Sequence, residues 1–181
     1  MMFLLRLLTR KRAREMDPLH VSMTGVRMGE RFLQIGCRDR GLLSGLAAKV
    51  GLSGSAHVAA LGDADAKNAA AVGRKVGALI EIHDIDEGRA WPFDAEQFDM
   101  IVVDDTQDSF GAFYSGSGSV MLANSLRALR RGGRIEIIAR SQTGAGFDAV
   151  GELAKAGFKP VRVLAERDGF KFIEGLKGTY G

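Results

Sequence analysis

Arg31-Phe32-Leu33-Gln34-Ile35-Gly36-Cys37-Arg38-Asp39-Arg40-Gly41 is the stretch on which the fold turns. Phe32, Leu33 and Ile35 make an apolar run as long as a short buried strand. Gly36 ends it, and a polar loop follows. Beyond Gly41, Leu43, Leu46, Ala47 and Val50 recur at helical spacing, and Gly51 stands where a helix would stop. The stretch therefore reads as strand, glycine turn, helix. In an open α/β sheet, such a turn brings a ligand's polar end to backbone N–H groups and a helix N-terminus.

The same alternation continues outward. His57 to Leu61 is a second apolar run, closed by Gly62-Asp63. Asp63 or Asp65 can cap a helix over 66–76 that buries Ala69, Val72 and Val76. Ala78 to His83 is a third strand, and Asp84 to Phe93 is irregular, with the helix-hostile Pro92. Phe98 to Asp105 is an apolar run suited to burial on both faces, as in a parallel sheet. A glycine-rich polar loop, 106–118, carries Phe110, Phe113 and Tyr114. Ser119 can cap a helix with Leu122, Leu126 and Leu129 inward, ended by Gly132-Gly133. Ile135, Ile137 and Ile138 mark a fifth strand, and Gly144 to Ala156 a further helix. Val161–Leu164 and Phe170–Ile173 flank Asp168-Gly169, a hairpin signal, so these two strands are expected to be antiparallel.

Composition narrows the function classes. The chain has 181 residues, 46% hydrophobic and 26% charged, which suits one globular domain with a real core. The net charge of +3 is unevenly spread. Arg6, Arg10, Lys11, Arg12 and Arg14 stand in residues 1–14 without an acid, leaving 20 basic and 22 acidic residues in the rest. The body is thus no basic nucleic-acid binder, and no nucleic-acid partner is expected. The arm's apolar part is far short of the ~20 residues that span a bilayer. Its charge order is the reverse of a secretory signal. It reads either as an amphipathic segment for a membrane surface or protein partner, or as a helix folded over the domain. One cysteine, Cys37, excludes an internal disulfide and suits a cytoplasmic location. His20, His57 and His83 show no ligand spacing, so no metal site is expected.

Three local matches give a family resemblance over residues 25–181. They are Phe32-Leu33-Gln34-Ile35-Gly36-Cys37, the segment Trp91-Pro92-Phe93 through Phe98-Asp99-Met100-Ile101-Val102-Val103-Asp104, and Leu129-Arg130-Arg131-Gly132-Gly133-Arg134-Ile135. With the strand and helix order, these resemble the class I S-adenosylmethionine-dependent methyltransferases. The resemblance implies an α/β fold: one doubly wound, mostly parallel seven-stranded sheet with a C-terminal antiparallel hairpin. Residues 1–24 would be arm and connector, and 25–181 the domain. It also implies S-adenosyl-L-methionine as cofactor and methyl transfer to a small-molecule acceptor.

The implied cofactor-binding residues are Gln34, Gly36, Cys37, Arg38 and Gly41 at the first turn and Gly62 and Asp63 beside the ribose. Asp84, Ile85 and Asp86 would lie near adenine, and Asp104 would face the transfer site. The chain departs from the family where Gln34 replaces an acid, where Arg38 and Arg40 replace glycines, and where Leu61 stands at the usual ribose acid. Arg38 or Arg40 can meet the cofactor's carboxylate, or be solvated loop residues. No catalytic residue is assigned, because methyl transfer from a sulfonium needs alignment and a dry site more than a triad. Two other readings stand beside this one. The first is a non-catalytic binding or assembly module on the same fold. The second is a nicotinamide-dependent Rossmann enzyme, one glycine short of its fingerprint at Gly36–Gly41.

Overall fold

The structure is a computed structural model that describes residues 18–86, 88–108, 118–141 and 148–179. The basic arm, the aromatic residues of the 106–118 loop and the start of the 144–156 helix lie outside the described residues. Seven strands form one sheet: β1 Arg31–Ile35, β2 Ser55–Ala60, β3 Ile80–Asp84, β4 Phe98–Asp105, β5 Leu129–Arg140, β6 Val161–Arg167 and β7 Phe170–Leu176. Their order is β3-β2-β1-β4-β5-β7-β6. The first five are mutually parallel, and β7 runs antiparallel to both β5 and β6. The strand Phe98–Asp105 is central, as its apolar run requires, and all but Asp99 of it is buried. The closing hairpin turns through Asp168 and Gly169 at φ of 53° and 79°. Those positive angles are what an Asp-Gly turn supplies.

Among the described residues, five helices cover the sheet: α1 Pro18–Met23, α2 Arg40–Val50, α3 Asp63–Val76, α4 Gly118–Ala128 and α5 Ala149–Lys155. Strand residues alternate between the two faces. Phe32, Val58, Met100 and Val102 pack with Val21, Leu43, Leu46 and Val72 of α1, α2 and α3. Leu33, Ile35, Ile101 and Val103 pack with Met121, Leu122 and Leu153 of α4 and α5. The β3–β4 crossover has no helix among its described residues. Its Trp91 and Phe93 are buried instead, held by Asn124 and Arg127 of α4 through backbone bonds of 2.7–3.1 Å.

Three sequence expectations need correction. Residues 18–23, read as connector, form α1 with Pro18 at its first position, where the missing N–H costs nothing. The helix after residue 118 ends at Ala128, not at Gly132-Gly133. Leu129 pairs with Phe98, and the Gly-Gly pair lies within β5 after an irregular register. Gly133 is needed there for closeness: a Cβ would stand 2.8 Å from the Arg130 carbonyl oxygen. Lastly, Asp63 opens α3 but caps nothing. Gly62 is the N-cap residue, with no side-chain bond.

Candidate functional site

The carboxyl ends of β1, β2 and β4 meet at the turn after Ile35. Gly36 takes φ of 74°, which a residue with a side chain adopts only under strain. Gln34, fully buried, donates through Nε2 to the Gly36 carbonyl oxygen at 3.0 Å. Cys37 is buried, and its carbonyl oxygen accepts from Asn68 Nδ2 at 2.7 Å. Burial pushes the Cys37 thiol up to about 12, with Asp104 and Asp65 adding to the effect. A thiol held that high is neutral and no nucleophile.

Asp104 holds this turn together. Its Oδ2 accepts the N–H groups of Arg38 and Asp39 at 2.8 and 2.7 Å. Its Oδ1 accepts from the Thr106 hydroxyl at 2.6 Å and from the Thr106 N–H at 3.3 Å. Burial raises its pKa, and the donors from Asp39 and Thr106 offset this only in part. A carboxylate so surrounded positions backbone and is not placed to take a proton from a substrate. Asp39 in turn caps α2, accepting from Gly41 and Leu42 N–H. Burial works to raise the Asp39 pKa, but His20 and those two N–H groups outweigh it and hold the carboxyl low.

The two arginines at glycine positions are both engaged within the chain. Arg40 Nε donates to Asn68 Oδ1 at 2.7 Å. Arg38 Nε lies 3.0 Å from Asp65 Oδ1. Asp65 is buried, while a third of the Arg38 side chain stays exposed, so the guanidinium can still be reached. Asp65 Oδ2 accepts from Leu61 N–H at 3.1 Å. A carboxylate is thereby restored to the end of β2, four residues past Leu61.

The outer half of the crevice is open. Gly62, at φ 131°, has no atom within 4 Å of where a Cβ would stand. Asp63, Asp84 and Asp86 are exposed around it, and Ile85 is half-buried. Ile85 N–H donates to the Ala60 carbonyl oxygen at 3.1 Å, fixing this segment across β2. Asp86 is occupied by Gly88 N–H and Arg89, whereas Asp63 and Asp84 stand exposed just past β2 and at the end of β3.

No protein-family model matches the chain, and no curated protein matches it. Solved structures do. A SAM-dependent methyltransferase from Aquifex aeolicus superposes with a TM-score of 0.71 at 18% identity, over 90% of this chain and 94% of that one. A TehB-like SAM-dependent methyltransferase from Corynebacterium glutamicum gives 0.66 at 16% identity, over 87% and 86%. The [4+2]-cyclase SpnF gives 0.67 at 15% identity, over 88% and 78%. The chain has the class I methyltransferase fold. Strand order, the antiparallel hairpin and these superpositions agree on it, at identities that establish fold and not activity.

Two of these structures are of SAM-dependent enzymes, whose cofactor is a zwitterionic amino acid joined to a nucleoside. Gln34 Oε1 is a buried acceptor with no hydrogen-bond partner, while the buried Asp65 carboxylate is met by the Arg38 guanidinium and the Leu61 N–H. A buried acceptor without a partner favours a ligand with donors, such as an ammonium group or ribose hydroxyls. The backbone N–H groups of Arg38, Asp39, Gly41 and Leu42 are already taken by Asp104 and Asp39. The Arg38 guanidinium, a third exposed, stands beside this turn. Asp39, Asp65, Asn68 and Gln107 were missed as site residues in the sequence. Asp39 and Asp65 had a local signal, each an acid at the start of a helical pattern. Gln107, which donates to the Arg38 carbonyl oxygen at 3.0 Å, had none.

Proposed function

We propose that the protein is a cytoplasmic S-adenosylmethionine-dependent methyltransferase for a small-molecule acceptor. The observation that carries this reading is the buried Gln34 Oε1, which has no hydrogen-bond partner, together with the part-exposed cation Arg38, paired with the buried Asp65. The cofactor, when bound, supplies an activated methyl group for in-line displacement. Arg38 holds its carboxylate, Gln34 and Asp65 accept from its donors, and Asp63 and Asp84 face the nucleoside. Gly36 and Gly41 keep the turn's shape, Gly62 leaves room, Ile85 supplies apolar surface, and Asp104 and Asp39 fix the backbone. Arg40, engaged with Asn68, supports the turn and does not touch ligand. The lone buried thiol suits a reducing compartment.

The Arg38→Ala variant tests this assignment. A charge-assisted bond to carboxylate contributes roughly 1.5–3 kcal/mol. Calorimetry should show S-adenosylhomocysteine binding weakened about ten- to a hundredfold. Binding of 5′-methylthioadenosine, which lacks the amino-acid end, should change little. Equal losses for both ligands would show that Arg38 holds the turn and not the carboxylate.

A second reading rests on a specific observation. The Gly36, Cys37 and Arg38 carbonyl oxygens and the Arg38 and Asp39 N–H groups already have partners within the chain. A turn satisfied in this way also suits a non-catalytic module. Wild-type protein that gives no heat and no thermal shift with S-adenosylmethionine or S-adenosylhomocysteine would favour that module over the enzyme.

A further inference from the structure

His57 is 24 and 26 residues from Glu81 and His83 in the chain, and the β2–β3 register brings all three together. His57 pairs with Glu81, and Ala59 with His83. Glu81 and His83 alternate with Ile80 and Ile82, so they share the sheet face opposite α3. On that face the crossover carries Phe93, whose ring meets His83 edge-on at 4.8 Å, while His57 meets Phe98 at 5.1 Å.

We propose that His57, Glu81 and His83 form a binding site for one divalent transition-metal ion of the zinc type. His57 Nδ1 lies 3.3 Å from His83 Nε2 and 3.6 Å from Glu81 Oε2, and His83 Nε2 lies 4.0 Å from the same oxygen. A tetrahedral ion with bonds of about 2.0–2.2 Å sets its ligands roughly 3.3–3.6 Å apart. Two of the three edges already meet that spacing, and the third closes by a small swing of Glu81, whose side chain is half exposed. His57 is fixed from behind, because its Nε2 lies 3.2 Å from Ser55 Oγ. A partner of this kind on the far nitrogen aims an imidazole at a metal. Two imidazoles and one carboxylate favour zinc, cobalt, nickel or copper over magnesium or calcium. Three protein ligands leave a fourth position for water, on the side where Glu81 meets solvent. Such an ion would clip the edge strand β3 to β2, and it is independent of the crevice at the strand ends.

Zinc uptake by the full chain, without a histidine tag and after chelator treatment, tests the site. Competition with a chromophoric chelator should give one Zn²⁺ per chain, and Co²⁺ should give the visible absorption of a tetrahedral site. Glu81→Gln and His83→Ala, both at partly exposed side chains, should each weaken Zn²⁺ binding at least about tenfold. Zn²⁺ should raise the melting temperature of the wild type but not of His83→Ala. Far-ultraviolet circular dichroism of both variants shows that they fold. Absence of saturable uptake, or equal affinity in wild type and both variants, would leave His57 and His83 as a plain hydrogen-bonded pair and overturn the proposal.

Discussion

Replacing Glu136 by glutamine should stabilise the protein, and by more at pH 8 than at pH 5. Glu136 lies in β5 between Val102 of β4 and Glu174 of β7. It is fully buried, and neither carboxyl oxygen has a hydrogen-bond partner. Burial pushes its pKa up to about 9 from 4.5, and the facing Glu174 adds to this, against a smaller opposing effect of Arg134. Glu174 does not relieve it, being paired with Arg162 at 2.9 Å.

The sign follows from proton linkage. Between those two pKa values the folded chain holds a proton on Glu136 that the unfolded chain has released. Stability therefore falls as pH rises through that window, by at most about 1.4 kcal/mol per unit. Below the unfolded pKa the term is flat, and the wild type keeps its full stability. Glutamine does not titrate and nearly matches the protonated acid in shape, so the two proteins should be close at pH 5. By pH 8 the variant should lead by roughly 2–4 kcal/mol. Urea unfolding of both proteins at the two pH values measures this. The same difference at both would mean that Glu136 does not enter the folded state protonated.

The parts of the fold legible in the sequence are those fixed by local chemistry. Gly36 ends β1, the run from Phe98 marks the central strand, and Asp168-Gly169 makes the final turn antiparallel. Each rests on residues within a few positions of one another. What escaped reading depends on tertiary placement. Residues 18–23 are too few to show a helical period, and they form α1 because His20 and Val21 find a cavity against α2 and β7. Leu129 fits a helical stripe, yet its place beside Phe98 draws it into β5. Glu136 was hidden among Ile135, Ile137 and Ile138, a run whose pattern gives no warning of a buried acid.

The site divides along the same line. Gln34, Gly36, Arg38, Gly62, Asp63 and Asp84, implied for the cofactor by the resemblance, stand at or just beyond the strand ends. Their partners do not follow from it. Arg38 could be read as facing ligand or water, and the structure sets it against Asp65, a residue buried only because α3 begins at Asp63. The cluster of His57, Glu81 and His83 exists only through register, since a shift of one residue would send His57 to the other face.

Removing the carboxylate of Asp104 should be the most damaging substitution at the crevice. Asp104→Ala strips the acceptor from two backbone N–H groups of the first turn and from both donors of Thr106. Each donor left unsatisfied in a buried place costs about 1–3 kcal/mol. Water admitted at the loop recovers part of this, so a total loss of roughly 3–5 kcal/mol is expected. Asp104→Asn keeps the shape and one carbonyl oxygen. Its amide must point either at Arg38 and Asp39 or at Thr106, donor against donor, so it should lose about half as much.

A base in methyl transfer would behave differently. For a base, asparagine would abolish turnover and leave unfolding unchanged, since the role would lie in proton transfer. For a brace, the loss should appear first in the denaturant midpoint, and S-adenosylhomocysteine binding should weaken with it as Arg38 loses its anchored backbone. Urea unfolding of both variants distinguishes the two roles. If Asp104→Ala unfolds within about 1 kcal/mol of the wild type, a margin set by ordinary surface changes, the turn is held by something other than this carboxylate.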